Sequence, residues 1–348
     1  KSPGCHPELV SGSYKKMNKQ IKQLLKTISR SFYLSIKFIP KNMQKCFACG
    51  YLLCRYADSI ADTNIFTNER KSYWLQKFPS LYIYQQKNDI ELLLKEIFEA
   101  NKQSTPEKKL LESFKLSLSF FNTLDEEEKK LVLEVLENVC KGMLLDLEYF
   151  DGKKIKALET KKQLDEYCYY IGGMPGVFWT KLIMLKTKAH HNPQIYLQAE
   201  KIGKALQVVN ILKDIEQDYN LKRCYLSQED LKVYNLNPED INKPQNFYKL
   251  KQIIDGHILS TANNLKVINE YLSQIPNNFF LKLSIVLPIL FAFETLTLIA
   301  RDFNFGKPLK ISKLKVYSAI AFSPLTIPFL NIIIRKKYKT LKNSLTHI

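Results

Sequence analysis

Almost nothing in this chain alternates apolar and polar residues with a period of two, which excludes a sandwich, a barrel or any fold built on half-buried strands. No internal repeat, low-complexity tract or clear linker divides it, so one all-helical unit over residues 1–348 is the simplest organisation. Zinc-finger spacing, nucleic-acid-reading motifs and long basic blocks with interleaved aromatics are missing, and nucleic acid is not an expected partner. The seven cysteines are an odd number, four of them inside helical apolar patterns, which points to a reducing, cytoplasmic setting. Cys46-Phe-Ala-Cys49 has the spacing of a redox pair, but it follows no strand and reads as core packing. The opening KSPGCHPELV carries no apolar signal core, and residues 1–14 read as a flexible lead.

What the chain does have is long runs of helical periodicity punctuated by prolines. The pattern predicts helices near 15–37, 41–62, 69–100, 107–122, 126–150, 161–187, 195–219, 247–273, 278–301 and 312–340, with 220–246 as the longest irregular connection. Hydrophobic residues make up 45% of the chain, enough for a sizeable core. Lys and Arg exceed Asp and Glu by 52 − 34 = 18, so anionic partners are expected: phosphorylated small molecules or an anionic membrane surface. Two apolar stretches, 283–300 and 317–334, barely reach the length of a membrane span. Their prolines and Glu294 favour core helices, with a terminal apolar helix over 317–340 as the element that could bring the chain peripherally to a membrane.

Set into the predicted core helix 41–62 is YLLCRYADSIADT, residues 51–63. Tyr51, Arg55, Asp58 and Asp62 follow one another at steps of four, three and four and project from one face of that helix. In LQVVNILKDIEQDYNLKRCYL, residues 206–226, Gln207, Asn210, Asp214 and Asp218 repeat the pattern. A single DxxxD pair reads as a solvated helix face; two, each embedded in apolar sequence, read as the walls of a polar cavity. Two like charges about 4 Å apart repel by roughly 4 kcal/mol even at an effective dielectric of 20, so four converging carboxylates call for cations. Oxygen-only donors with an amide nearby suit Mg²⁺, which keeps waters and bridges to substrate phosphates, and the absence of His or Cys from these faces excludes softer metals. Arg30, Arg55, Lys213 and Arg223 would meet the remaining phosphate charge. The chemistry inferred is Mg²⁺-assisted departure of a diphosphate.

SRSFYLSIKFIP (29–40), YLLCRYADSIADT (51–63), YCYYIGGMPG (167–176) and LQVVNILKDIEQD with KRCYLS (206–227) resemble, in order, the signatures of the squalene and phytoene synthases, the head-to-head prenyl transferases. The resemblance implies the all-α isoprenoid synthase fold, helices around a central cavity, with two prenyl diphosphate substrates and Mg²⁺. By position it implies Asp58, Asp62, Asp214 and Asp218, with Asn210 beside them, as the metal-binding set. Ser29, Arg30, Ser31, Tyr51, Arg55 and Arg223 fall where the family grips diphosphates, and Phe32, Gln207, Lys213 and Tyr225 lie in the same substrate-binding motifs. Tyr167 falls at the family's catalytic tyrosine. Lys213 replaces a common Arg, exchanging a bidentate clamp for a point charge, and Ala61 stands where many members carry another acid. Gly172, Gly173 and Gly176 would each cost a helix roughly 1 kcal/mol relative to Ala. Two reasons present themselves: room for a prenyl tail against the backbone, or close helix packing. Pro175 should kink or interrupt the helix.

The C-terminal third is more similar to the squalene-forming branch than to the phytoene-forming one, including the basic pair Lys310 and Lys313. That implies condensation of two farnesyl diphosphates through presqualene diphosphate and reduction by NADPH, its phosphates met by Lys310 and Lys313 in the absence of a Rossmann fingerprint. Ser284 departs from the pattern, standing where eukaryotic members of that branch carry an aromatic residue. The alternatives are an enzyme stopping at presqualene diphosphate, a dehydrosqualene or phytoene synthase that needs no reductant, or, from another class, a non-catalytic basic helical module that docks on membranes. A monomer is expected.

Overall fold

The structure, a computed structural model, describes residues 19–29, 36, 38–100, 105–189, 192–305, 318 and 326–345. The described chain is helical from end to end: α1 (Lys19–Ser29), α2 (Lys41–Asp62), α3 (Asn68–Ile83), α4 (Lys87–Glu99), α5 (Pro106–Glu112), α6 (Phe114–Phe121), α7 (Glu126–Tyr149), α8 (Lys161–Cys168), α9 (Met174–Thr187), α10 (Gln194–Asn220), α11 (Gln228–Val233), α12 (Phe247–Leu265), α13 (Ile268–Ser273), α14 (Phe279–Asp302) and α15 (Leu330–Leu345). The extended exceptions among the described residues are two-residue segments, β1 (Lys156–Ala157) and β2 (Arg223–Cys224), paired in parallel. One continuous cluster of buried apolar side chains runs from Ile21 in α1 to Leu341 in α15.

Helix α2 is apolar over most of its circumference, and Leu52, Leu53, Tyr56, Ala57 and Ile60 are fully buried between α3 and α7. Asp125 and Glu128 form a reciprocal capping box at the start of α7, whose first turn is acidic and therefore matched to the helix dipole. Cys46 and Cys49 are buried on the inward side of α2, their thiols pushed up by burial, in keeping with packing rather than redox chemistry.

Several predicted helices divide where local chemistry interrupts them. The run 69–100 breaks between α3 and α4, where Gln85 takes a left-handed φ of 49°. The run 161–187 does not break at Pro175; a π-helical turn over Tyr169–Gly173 carries the chain from α8 into α9 instead, with Pro175 at the start of α9. The connection 220–246 holds α11 and two short 3₁₀ turns.

Helix α14 is long and apolar enough to cross a bilayer, yet 72% of its most apolar window is buried against α10, α12 and α15, so it is a core helix. The expected apolar helix over 317–340 is corrected in its described part. A turn at 327–329, containing Pro328, precedes α15, which is amphipathic rather than apolar throughout. Leu330, Ile334 and Leu341 pin it to the core, while Arg335, Lys336 and Lys339 face outward. Residues 1–14 lie outside the described residues.

Candidate functional site

Helices α2 and α10 place their carboxylates around one polar cavity of about 210 Å³. Asp58 and Asp62 line it from α2, and Gln207, Asn210, Asp214 and Asp218 from α10, as the spacing on each helix requires. Burial, and then the neighbouring Asp214, push the Asp218 carboxyl up to about 7, the signature of negative charge gathered out of water. Asn210 Nδ2 lies 3.5 Å from Gln207 Oε1. Among the described residues, no group of three or more His, Cys, Asp or Glu side chains is placed to hold a metal ion unaided.

Arg223, in β2, and Tyr225, just after it, reach the same cavity. After α10 ends, Lys222 turns the chain through a left-handed φ of 65°, and Leu158 N–H donates to Cys224 O at 3.1 Å, fixing the register in which Arg223 and Tyr225 face the cavity. Tyr167, at the end of α8, lines the cavity wall, its ring stacked on Tyr225 with centroids 4.7 Å apart. Burial, and then the charge of Asp146, raise the Tyr167 phenol well above its ordinary range.

Asp146 is the functional-site residue that sequence reasoning missed. It projects from α7 into the same cavity, accepts from the Tyr225 hydroxyl on Oδ1 and from Arg223 Nη1 at 2.8 Å on Oδ2. Burial works against the Arg223 charge, but Asp146 and then Tyr225 outweigh it and hold the guanidinium firmly protonated. An acid in a largely apolar run, KGMLLDLEYF, was the available signal, though the next acid, Glu148, is only two residues on and none stands four residues away to mark it.

A second, apolar cavity of about 460 Å³ adjoins the first, and Ile171, Gln207 and Asn210 belong to both. Its volume falls within the roughly 300–1,000 Å³ of ligand pockets. Phe47, Trp179, Ile202, Leu206, Ile285 and Pro288 line it, and Tyr51 and Ser284 stand in its wall. Tyr51 therefore belongs to the apolar side rather than to the carboxylate cluster. The glycines answer the choice left open by the sequence in favour of close packing with an open edge. A Cβ on Gly172 would overlap the Gly203 carbonyl, and one on Gly176 would lie 2.6 Å from the Ala199 carbonyl oxygen, so these residues let α10 pack against the π turn and α9. The same three glycines, 172, 176 and 203, also border the apolar cavity.

Two predicted phosphate-facing cations do not line either cavity. Arg55 is bound to Asp58 one turn along α2, and Lys213 Nζ lies 3.1 Å from Asp214 Oδ2, each drawn to the nearest carboxylate on its own helix. Arg30, Ser31, Phe32, Lys310 and Lys313 lie outside the described residues, as does the side chain of Ser29.

The sequence profile described as "Squalene/phytoene synthase" matches residues 25–315. The chain is 27% identical over 260 residues to the squalene synthase of Saccharomyces cerevisiae, covering 73% of this chain and 55% of that protein. It is 25% identical over 278 residues to the squalene synthase of Bos taurus, covering 79% and 61%. The matched stretch thus spans little more than half the length of these relatives. A solved complex of TcSQS with the ligand BPH1237 superposes with a TM-score of 0.75 at 20% identity, covering 94% of this chain and 90% of that one, which shows the shared fold. With residues 25–315 of its 348 matched, the chain belongs to the squalene/phytoene synthase family.

Proposed function

We propose that this protein is a head-to-head prenyl transferase that joins two farnesyl diphosphates through presqualene diphosphate to squalene, with Mg²⁺ for ionisation and NADPH for the final reduction. The observation that carries the reading is the adjacency of two unlike cavities: an acidic one suited to metal and diphosphate shares Ile171, Gln207 and Asn210 with an apolar one suited to prenyl chains. The donor set fits Mg²⁺, because the carboxylates of Asp58, Asp62, Asp214 and Asp218 and the amides of Gln207 and Asn210 offer hard oxygen ligands and no His or Cys lines the cavity. Asp58, Asp62, Asp214 and Asp218, with Asn210 beside them, would hold the ion together with water and diphosphate oxygens. Bound there, Mg²⁺ would draw charge from the leaving diphosphate.

The chain's own residues do the rest. Arg223, held charged by Asp146, offers its positive face to the diphosphate. Arg55 and Lys213, on the same helices as the carboxylates, add charge near the cavity, and Ser29, Arg30 and Ser31 are assigned to the diphosphate. The apolar walls keep water from the reacting carbons, and Tyr167 presents its ring in the wall of the acidic cavity, stacked on Tyr225. Phe32 is assigned to the substrate's prenyl side, and Lys310 and Lys313 to the phosphates of NADPH. The net charge of +18 and the outward basic face of α15 support peripheral contact with an anionic membrane surface from the cytoplasm, by a monomer.

One observation favours a second, non-reductive reading. Ser284, where the resemblance leads one to expect an aromatic ring, is a small residue in the wall of the apolar cavity, its hydroxyl donating to Leu281 O at 2.7 Å. Incubation with farnesyl diphosphate and Mg²⁺, with and without NADPH, separates the two. Squalene with NADPH and presqualene diphosphate without it are the expected products. One hydrocarbon under both conditions transfers the protein to the dehydrosqualene or phytoene type. Asp58→Asn and Asp214→Asn should each abolish diphosphate release while the fold persists, and full turnover in either variant refutes the metal assignment.

A further inference from the structure

The apolar cavity has a direction. Ile171, Gln207 and Asn210 border the acidic cavity, and from Asn210 the wall follows α10 back to Ala199, eleven positions or about 16 Å at the rise of a helix. Gly172 packs against Gly203 and Gly176 against Ala199, so the π turn and α9 run antiparallel to α10. Thr180, one turn on from Gly176, therefore stands past Ala199 toward the start of α10. There it meets Tyr271 of α13, which lines the cavity, the two hydroxyl oxygens lying 2.8 Å apart. Gln274 Nε2, just past α13, donates to Gln198 Oε1 at 2.7 Å and holds α13 against this same end of α10. Thr180 Oγ1 donates its single hydrogen to Gly176 O at 2.9 Å, so the hydrogen shared by the two hydroxyls is that of Tyr271. Thr180 is 0% exposed and Tyr271 3%, so this end of the cavity is closed.

We propose that Tyr271 is the floor of the apolar cavity and sets the length of prenyl chain the site accepts, with Thr180 as the residue that positions it. This rests on the proposed use of prenyl diphosphates. With its diphosphate in the acidic cavity, a chain passes Gln207 and Asn210 and runs along α10 toward Tyr271. An extended chain advances about 1.2 Å per bond, so the twelve-carbon spine of a farnesyl group covers about 13 Å and the sixteen-carbon spine of a geranylgeranyl group about 18 Å. The first ends short of the floor; the second has to displace it. The bond to Thr180 resists that displacement, because moving the ring leaves a buried hydroxyl without its partner.

The test is a comparison of the two chain lengths on the full protein. With Mg²⁺ and either farnesyl or geranylgeranyl diphosphate, the wild type should favour farnesyl in kcat/KM for diphosphate release. Tyr271→Ala should move that ratio toward geranylgeranyl by about 10-fold or more, the scale on which apolar pockets discriminate size. Thr180→Val keeps the shape but offers Tyr271 no oxygen; it should move the ratio the same way by about threefold and add nothing to Tyr271→Ala in the double variant. A merely structural loss lowers both kcat/KM values together, so an unmoved ratio in folded Tyr271→Ala overturns the floor. Tyr271→Leu, a smaller change, carries the same comparison if Tyr271→Ala does not fold. Calorimetric binding of the unreactive farnesyl and geranylgeranyl thiolodiphosphates with Mg²⁺ repeats it without turnover, and the same shift should appear in the ratio of Kd values. Should the wild type bind both analogues yet release no diphosphate from either substrate, the proposed reaction fails while the Kd ratio still decides the floor. Wild-type protein that binds neither analogue, or binds geranylgeranyl as tightly as farnesyl, overturns the floor.

Discussion

Asp230 sets the segment that follows Arg223 and Tyr225. It accepts from Ser227 Oγ at 2.7 Å, faces Lys161 Nζ at 3.1 Å and lies 3.2 Å from His257 Nε2, tying the start of α11 to α8 and α12. Although burial opposes the charge, His257 and then Ser227 hold the Asp230 carboxyl far below the usual carboxylate range. A carboxyl with its folded pKa below its unfolded value of about 3.9 contributes stability above that unfolded value and loses it as pH falls toward the folded one. Asp230→Asn should therefore destabilise the protein by about 1.5–3 kcal/mol at pH 7, the range for hydrogen bonds to charged groups. The deficit should shrink steadily below about pH 4. Urea unfolding of both proteins at pH 7 and pH 3 measures it; an equal deficit at both values would mean that packing, not charge, is what the substitution removes. Asp146 belongs to the same scale but could not be read as this local turn could. Its partner Tyr225 lies 79 residues away, and only tertiary structure brings the two together.

Among the elements, the crossing of α10 over the π turn and α9 decides where both cavities lie. Gly172 and Gly203 face each other so closely that a Cβ on either would overlap the other's carbonyl oxygen. Gly203→Ala should cost about 1–3 kcal/mol, as overpacking against an unyielding backbone does, and should also reduce activity by displacing Gln207 and Asn210. Gly256, in α12, is the control. A Cβ there meets nothing within 4 Å, and Gly256→Ala should stabilise by about 1 kcal/mol on helix propensity. Equal melting shifts in the two variants would dismiss the crossing as the cause. This crossing also marks the limit of what could be read from the chain. The DxxxD helices and their faces were legible because the signal is local, a carboxylate every fourth residue in apolar sequence. The run YIGGMPG announced that something unusual was needed, but its partner Gly203 lies in another helix with no flanking motif to connect them. Likewise α3 and α4 read as one helix because Gln85, which separates them, carries no breaker signature of its own. The terminal stretch read as one apolar helix because hydropathy outweighed Pro328, whereas its described part divides at the turn beside that proline.

At the scale of the molecule, a chain of net charge +18 surrounds a cavity lined by five carboxylates, Asp58, Asp62, Asp146, Asp214 and Asp218. An anionic diphosphate approaching the cavity alone would be repelled; approaching the whole molecule it is attracted. On the proposed reaction the basic exterior would act at long range to bring the diphosphate in, while Arg223 and a bound cation would act at short range once it has arrived. These two contributions respond differently to salt. At about 0.1 M ionic strength the screening length is about 10 Å, so attraction by the outer charges is largely lost, while contacts inside the cavity are screened much less. With farnesyl diphosphate as substrate and Mg²⁺ saturating, kcat/KM should fall roughly 3–10-fold between about 20 and 200 mM NaCl, with kcat nearly constant. Replacing NaCl by sucrose at equal viscosity should leave kcat/KM near its low-salt value. A parallel fall in kcat would locate the salt effect in the cavity itself, and the basic exterior would then have no part in drawing substrate to the site.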